Sequence, residues 1–145
     1  MRIDFYHLTA TPLERALPSI AEKVIGAGQR LLVVTDVSRV GELDRQLWTY
    51  APDSFLPHAP AGGPRDADQP ILIAGDTAAA NGARNVALAD GKWRDEALDF
   101  DRIFFFFDAG AIDDARLSWR ALKDVNGAER HYWKQDENAR WRQGP

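Results

Sequence analysis

Two runs of consecutive apolar residues, LLVV at 31–34 and IFFFF at 103–107, constrain the fold most strongly. A strand with one face in water alternates apolar and polar residues, whereas a strand covered on both faces is apolar throughout. The two runs therefore predict strands in the middle of a largely parallel sheet that lies between layers of helices.

Other segments continue this pattern of strands separated by helices. We predict six strands, at 3–8, 30–35, 70–75, 85–89, 102–107 and 130–135. Amphipathic spacing predicts three helices, one in 11–28 with Pro18 as a kink or first turn, one over 38–48 capped by Ser38, and one over 112–127 closed by Asn126 and Gly127. Four prolines predict an irregular surface segment at 51–69, and 76–84 is predicted to be a loop.

The order of these strands and helices predicts a single α/β domain over 1–145, with a mostly parallel sheet, helices on both faces and a nucleotide-binding-like topology.

The composition limits the classes of function. The 145 residues include no cysteine, which excludes disulfides, thiolate metal sites and a cysteine nucleophile. No apolar run approaches the roughly 20 residues of a membrane span, and Asp4 interrupts the N-terminal stretch where a signal peptide is apolar. We therefore expect a cytoplasmic protein with no membrane partner.

The net charge of −4 argues against a surface devoted to a phosphate backbone. The last 35 residues differ from the rest, because they carry seven basic and six acidic side chains among three tryptophans. A local basic and aromatic surface is therefore expected in this part of the chain.

A nucleotide-binding or magnesium-dependent enzyme is the alternative that this fold class invites. Gly26 and Gly28 follow a helix and precede a strand, the reverse of a phosphate-binding turn. Asp36, Asp76 and Asp108 follow predicted strands, where they would either form a site or, more commonly, cap turns. We find no nucleophile elbow, zinc motif or other catalytic set, and predict no cofactor, no metal site and no catalytic residue.

Two segments present aromatic or basic side chains suited to binding another protein. Residues 48–60 carry Trp48, Tyr50, Phe55, Leu56 and His58 on a backbone stiffened by Pro57 and other prolines. These residues would either cover the domain's own core or form an interface, where tryptophan and tyrosine often dominate the binding energy.

On the last predicted helix, Arg116, Trp119, Arg120 and Lys123 recur every three or four residues. They form either a solvated charged face or a seat for a peptide carboxylate and an aromatic side chain.

The chain resembles the chi subunit family of bacterial DNA polymerase III holoenzyme. The similarity runs through IDFYHL, LERALP, LDRQLWTYAPDSFLPH, PILI and HYWKQDENARW, and so covers nearly the whole length. The LW…FLPH block and the YWKQDE…RW ending are specific in combination.

The resemblance implies a non-catalytic adaptor of DNA replication, monomeric by itself. Chi proteins pair with the psi subunit of the clamp-loader complex and bind the acidic C-terminal tail of single-stranded-DNA-binding protein, so contact with DNA is expected to be indirect. The resemblance matches Trp48 and Phe55 to the family's protein-docking surface, and we predict that Tyr50, Leu56, Pro57 and His58 extend this surface for psi. It matches Arg116 and Trp119 to the tail pocket, with Arg120 adjacent, and we add Lys123 to that pocket. Ile112 stands where some members carry a lysine, and Arg120 or Lys123 is the candidate replacement.

A third interpretation has the C-terminal segment RHYWKQDENARWR touching single-stranded DNA directly through base stacking. The net charge of −4 argues against it.

Overall fold

The computed structural model describes residues 1–50 and 56–144, and these form a sheet of eight strands. The strands are β1 Arg2–His7, β2 Leu31–Val34, β3 His58–Pro60, β4 Ile71–Ala74, β5 Asn85–Leu88, β6 Arg102–Phe107, β7 Glu129–Gln135 and β8 Trp141–Gly144. Their spatial order is β3-β4-β2-β5-β6-β1-β7-β8, and neighbours are parallel except for β7 and β8. The predicted mostly parallel sheet and its six strands are confirmed.

Helices cover both faces of the sheet. The α-helices are α1 Leu13–Gly26, α2 Val40–Thr49 and α3 Ile112–Ala121. Side chains of α1 and α2 pack in one apolar cluster, whereas α3 and the short 3-10 helix Asp95–Asp99 pack in the cluster on the opposite face. Within the described ranges, no helix is long and apolar enough to cross a membrane.

Strand β6 shows why its apolar residues run consecutively. Phe104 and Phe106 join the cluster under α1 and α2, whereas Phe105 and Phe107 join the cluster under α3. All four side chains are at most 2% exposed. Full burial of one such ring contributes about 1.5–3 kcal/mol to the stability of the fold. Strand β6 therefore stabilises the packing on both faces of the sheet.

The predicted Ser38 cap is wrong, and so is one of the two alternatives for Pro18. Helix α1 begins at Leu13 and runs through Pro18, so Pro18 does not mark its first turn. Pro18 is the sixth residue of the helix, and its side chain is buried. Ser38 does not cap α2 either, because it lies within a 3-10 turn, Val37–Arg39, and the α-helix begins only at Val40.

The third helix ends earlier than predicted. Helix α3 stops at Ala121, and the chain tightens into a 3-10 turn over Leu122–Asp124. Gly127 follows with a φ of 81°, a left-handed conformation that glycine adopts without steric cost. The helical region as a whole therefore still closes at this glycine.

Two short strands were missed. The segment 51–69, expected to be irregular surface, contains β3, which pairs in parallel with β4 at one edge of the sheet. An edge strand tolerates Pro60 because one row of its backbone groups needs no ladder partner. At the other edge, β8 returns antiparallel to β7 after a tight turn in which Asp136 accepts hydrogen bonds from the backbone N–H groups of Asn138 and Arg140.

Candidate protein-docking surfaces

Trp48 lies near the end of α2. Within the described ranges, it is the most exposed of the aromatic side chains that the sequence analysis assigns to docking. Its side chain is 50% exposed although indole is large and apolar. The ring centroid lies 4.4 Å from that of His58, at an interplanar angle of 45°. We call Trp48 and the half-buried Pro57 the α2 surface, and His58 supports it from below.

His58 is a buried structural residue. The side chain is 5% exposed, and its Nε2 lies 3.0 Å from the backbone oxygen of Asp44 and 3.2 Å from a carboxylate oxygen of the same residue. The Nδ1 atom lies against the carbonyl oxygen of Leu56. His58 thus ties α2 to the chain entering β3, and its ring has no free nitrogen to offer a partner.

The other members of the first predicted set separate in space. Leu56 is 4% exposed and belongs to the core, so it does not face a partner. Tyr50 is half-buried and lines a pocket beside α1. Phe55 lies outside the described residues. The structure thus brings Trp48, Pro57 and His58 together, and turns Leu56 and Tyr50 inward.

Helix α3 carries the second predicted set. Arg116 and Arg120 are exposed on the helix, and Lys123 is exposed on the 3-10 turn that follows. Leu117, which sequence reasoning did not single out, is 58% exposed between them. We call these four residues the α3 surface, because they join positive charge to an exposed apolar side chain.

Trp119 points toward the core rather than outward with its neighbours. Its ring meets Phe5 and Tyr132 edge to face, with centroids 5.3 and 5.5 Å apart. The guanidinium of Arg130 lies over the indole at 4.2 Å and also donates a hydrogen bond to the Trp119 carbonyl. A cation–π contact of this kind is worth about 0.5–2 kcal/mol. Arg130 therefore fixes Trp119 and adds a positive charge beside the α3 surface.

The charge of Arg116, on the α3 surface, influences the pKa of two side chains in the sheet, His7 and Tyr132. Partial burial, with the charge of Arg116 as the second cause, lowers the pKa of His7 at the end of β1. Burial raises the pKa of Tyr132 in β7, and Arg116 opposes that change. His7 and Tyr132 were missed as neighbours of this surface, because the sheet pairs β1 with β7, whose partner residues are 127 positions apart.

The aspartates at the strand ends serve local structure. Asp36 pairs with Lys92 at 2.9 Å, Asp76 accepts a hydrogen bond from the Ala78 N–H, and Asp108 accepts one from the Gly110 N–H. Across residues 1–50 and 56–144, no three His, Asp or Glu side chains are grouped so as to hold a metal ion. The geometry therefore favours turn capping at Asp76 and Asp108 and an ion pair at Asp36.

Asp90, after β5, is paired as well. Its carboxylate is 1% exposed and receives two hydrogen bonds from Arg94, at 2.9 and 2.8 Å. Burial is the largest influence and opposes ionisation, yet the Arg94 guanidinium holds the pKa of Asp90 below its ordinary value. The pair anchors the segment after β5 and presents no free acid for catalysis.

Comparison with known proteins decides the family. A family model described as DNA polymerase III chi subunit, HolC, matches residues 1–129. The chain belongs to the chi subunit family. The chain is also similar to a probable DNA polymerase III subunit chi from Rickettsia prowazekii (strain Madrid E), with 30% identity over 73 residues. That match covers 50% of this chain and spans 44% of the relative's length. Chi proteins are accessory subunits of DNA polymerase III and are not themselves catalytic.

Proposed function

We propose that this chain is a replication adaptor that joins the clamp-loader complex, through a psi subunit, to the C-terminal tail of single-stranded-DNA-binding protein. The proposal treats residues 1–145 as one domain that works as a monomer in the cytoplasm. Membership of the chi family supports a role in the polymerase III holoenzyme.

The observation that carries the tail-binding part is the α3 surface. A protein of net charge −4 here exposes Arg116, Arg120 and Lys123 around the apolar Leu117. An acidic peptide with a terminal phenylalanine carboxylate has the complementary features, because guanidinium groups pair with carboxylates and an apolar side chain accepts the ring. The surrounding negative charge keeps such binding modest and sensitive to salt.

Trp48 supports the psi-docking part. Its side chain is half exposed, and tryptophan often carries much of the binding energy where it faces a partner. His58 and Leu56 would then contribute by holding the chain beside Trp48 in place, because both are buried.

A peptide titration tests the tail-binding proposal. We expect a peptide ending in Asp-Ile-Pro-Phe to bind, and Arg116→Ala to weaken it about tenfold, the effect of losing about 1.4 kcal/mol. Amidation of the peptide's C-terminus should weaken it similarly, because the carboxylate is lost. Arg65→Ala is the matched control, since Arg65 is equally exposed but lies between β3 and β4, away from α3. Equal affinity for the acid and amide peptides would refute the proposal.

A further inference from the structure

A pocket of about 470 Å³ opens between α1 and the sheet face beneath it, and Tyr50, which follows α2, is among its lining residues. Four cationic side chains line it, namely Arg2, Arg15, Lys23 and Arg102. Of the residues that the structure describes, no Asp or Glu is among those lining the pocket. This concentration of positive charge is unexpected in an acidic chain and is invisible in the sequence, because the four residues come from three separate elements.

The helix wall of the pocket carries a regular stripe. Arg15, Ser19 and Lys23 are spaced four residues apart, so they lie along one side of α1. The stripe is about 12 Å long from Arg15 to Lys23, given a rise of about 1.5 Å per residue. Arg15 and Lys23 are exposed, and no hydrogen bond or ion pair within the described ranges engages either side chain. Their charges are therefore available to a ligand.

The opposite wall holds two guanidinium groups around one buried carboxylate. Arg2 and Arg102 occupy matched positions on β1 and β6, and their Nε atoms lie 3.2 and 3.3 Å from the same oxygen of Asp4. Asp4 is fully buried, whereas the two arginine side chains are about 40% exposed. The single negative charge of Asp4 balances one of the two guanidinium charges. One net positive charge therefore remains at this wall of the pocket. Glu129 acts on Arg2 from outside the lining.

Aromatic rings also line the pocket. Tyr6 lies under the pocket with Trp133 stacked beside it at 6.4 Å, and Trp141 meets Tyr6 edge to face at 5.2 Å. Trp133 and Trp141 are both half-buried and so keep part of their rings accessible. Burial and the nearby Asp4 raise the pKa of Tyr6 to about 12, so its phenol adds no negative charge at neutral pH.

We propose that this pocket binds a short segment of single-stranded DNA, with phosphates along α1 and bases against the tryptophans. Proteins that bind single strands without sequence preference combine a basic groove for the backbone with aromatic side chains that stack on bases. The cations here are spread over about 12 Å rather than converging on one point, which suits successive phosphates better than one free phosphate. Trp133 and Trp141 supply the stacking surface, and cationic side chains of α1, β1 and β6 supply positive charge beside them.

Binding of an oligothymidylate to the full-length protein tests the proposal. We expect labelled oligothymidylate of about 12 nucleotides, a length typical of single-strand sites, to bind at low salt and to quench tryptophan fluorescence. Lys23→Glu and Arg15→Glu should each weaken binding about tenfold and flatten the salt dependence, because each removes one phosphate contact. Arg65→Glu makes the same charge change at the far edge of the sheet. We expect it to weaken binding by no more than about twofold, through the change in net charge alone.

Several outcomes would overturn the proposal. They are the absence of oligothymidylate binding at low salt, equal weakening by Arg65→Glu and Lys23→Glu, and binding of thymidine mononucleotide as tightly as the oligomer. A pocket that takes the acidic tail peptide instead, so that Lys23→Glu abolishes peptide binding, would also contradict it. Lys23→Gln and circular dichroism of each variant separate loss of charge from loss of fold.

Discussion

The ring of His7 combines two features that make it sensitive to pH. It stacks on Phe107 at 5.1 Å and an angle of 6°, and its Nε2 is buried with no hydrogen-bond partner. Burial, then the charge of Arg116, lowers its pKa below the ordinary value of 6.5, although Asp108 opposes this. The folded protein therefore resists protonation of His7 more than the unfolded chain does.

We predict that His7 makes the folded state less stable as the pH falls below about 6.5. Between the lowered pKa and 6.5, the unfolded chain binds more protons at this site, so the free energy of unfolding rises with pH. His7→Phe keeps an aromatic ring against Phe107 and removes the titration. Thermal unfolding of both proteins between pH 5 and pH 7.5 should show a smaller slope for the variant.

Arg116→Gln provides the control for this prediction. It keeps His7 but removes one cause of the lowered pKa, so the slope should shrink without vanishing, because burial remains the larger cause. Identical slopes for the wild-type protein and His7→Phe would show that His7 does not titrate as described.

At the scale of elements, the buried Asp4 links β1 to its neighbours. Its carboxylate accepts hydrogen bonds from Arg2 on its own strand, Arg102 on β6 and Trp133 on β7. The three strands are adjacent in the sheet. The carboxylate thus joins strands far apart in the sequence, at the base of the α1 pocket.

We predict that Trp133→Phe lowers the free energy of unfolding by about 1.5–3 kcal/mol, the usual range for a hydrogen bond to a charged group. The indole Nε1 donates to Asp4 at 2.9 Å, and phenylalanine cannot replace this donor. Denaturant unfolding measures the change. Trp141→Phe is the matched control, because Trp141 lines the same pocket without a hydrogen bond to Asp4, and a cost as large as that of Trp133→Phe would contradict the prediction.

Most of the sheet could be predicted from the sequence because its central strands carry long apolar runs, as in LLVV of β2. Strand β6 is the clearest example, since RIFFFF has no polar interruption after Arg102. Strand β3 could not be predicted in the same way, because three residues that end in Pro60 carry no strand pattern of their own. Its pairing with β4 and the burial of His58 depend on tertiary contacts.

The candidate sites were predictable only in part for the same reason. Arg116, Arg120 and Lys123 repeat along one segment, and the structure leaves them exposed. Trp119 shares their spacing but turns inward, since Phe5 and Tyr132 of neighbouring strands provide its packing. The charged α1 pocket gave no sequence signal, because parallel pairing alone places Arg2 beside Arg102.

At the scale of the whole molecule, the sheet separates the two proposed docking surfaces. Helix α2 packs on one face with α1, and α3 packs on the other. The two surfaces also sit toward different parts of the sheet, since α2 contacts β3 and β4, whereas Trp119 of α3 packs against β1 and β7. We therefore expect a partner on one surface to leave the other accessible.

We predict that psi and the tail peptide bind at the same time and independently. The affinity of a labelled peptide ending in Asp-Ile-Pro-Phe should change less than about twofold when the organism's psi subunit is added in excess, because no coupling free energy is expected between separate sites. Trp48→Ala should reduce psi binding and spare the peptide, whereas Arg116→Ala should do the reverse. An adaptor requires both partners at once, so displacement of the peptide by psi, or loss of both activities in one well-folded variant, would refute this arrangement.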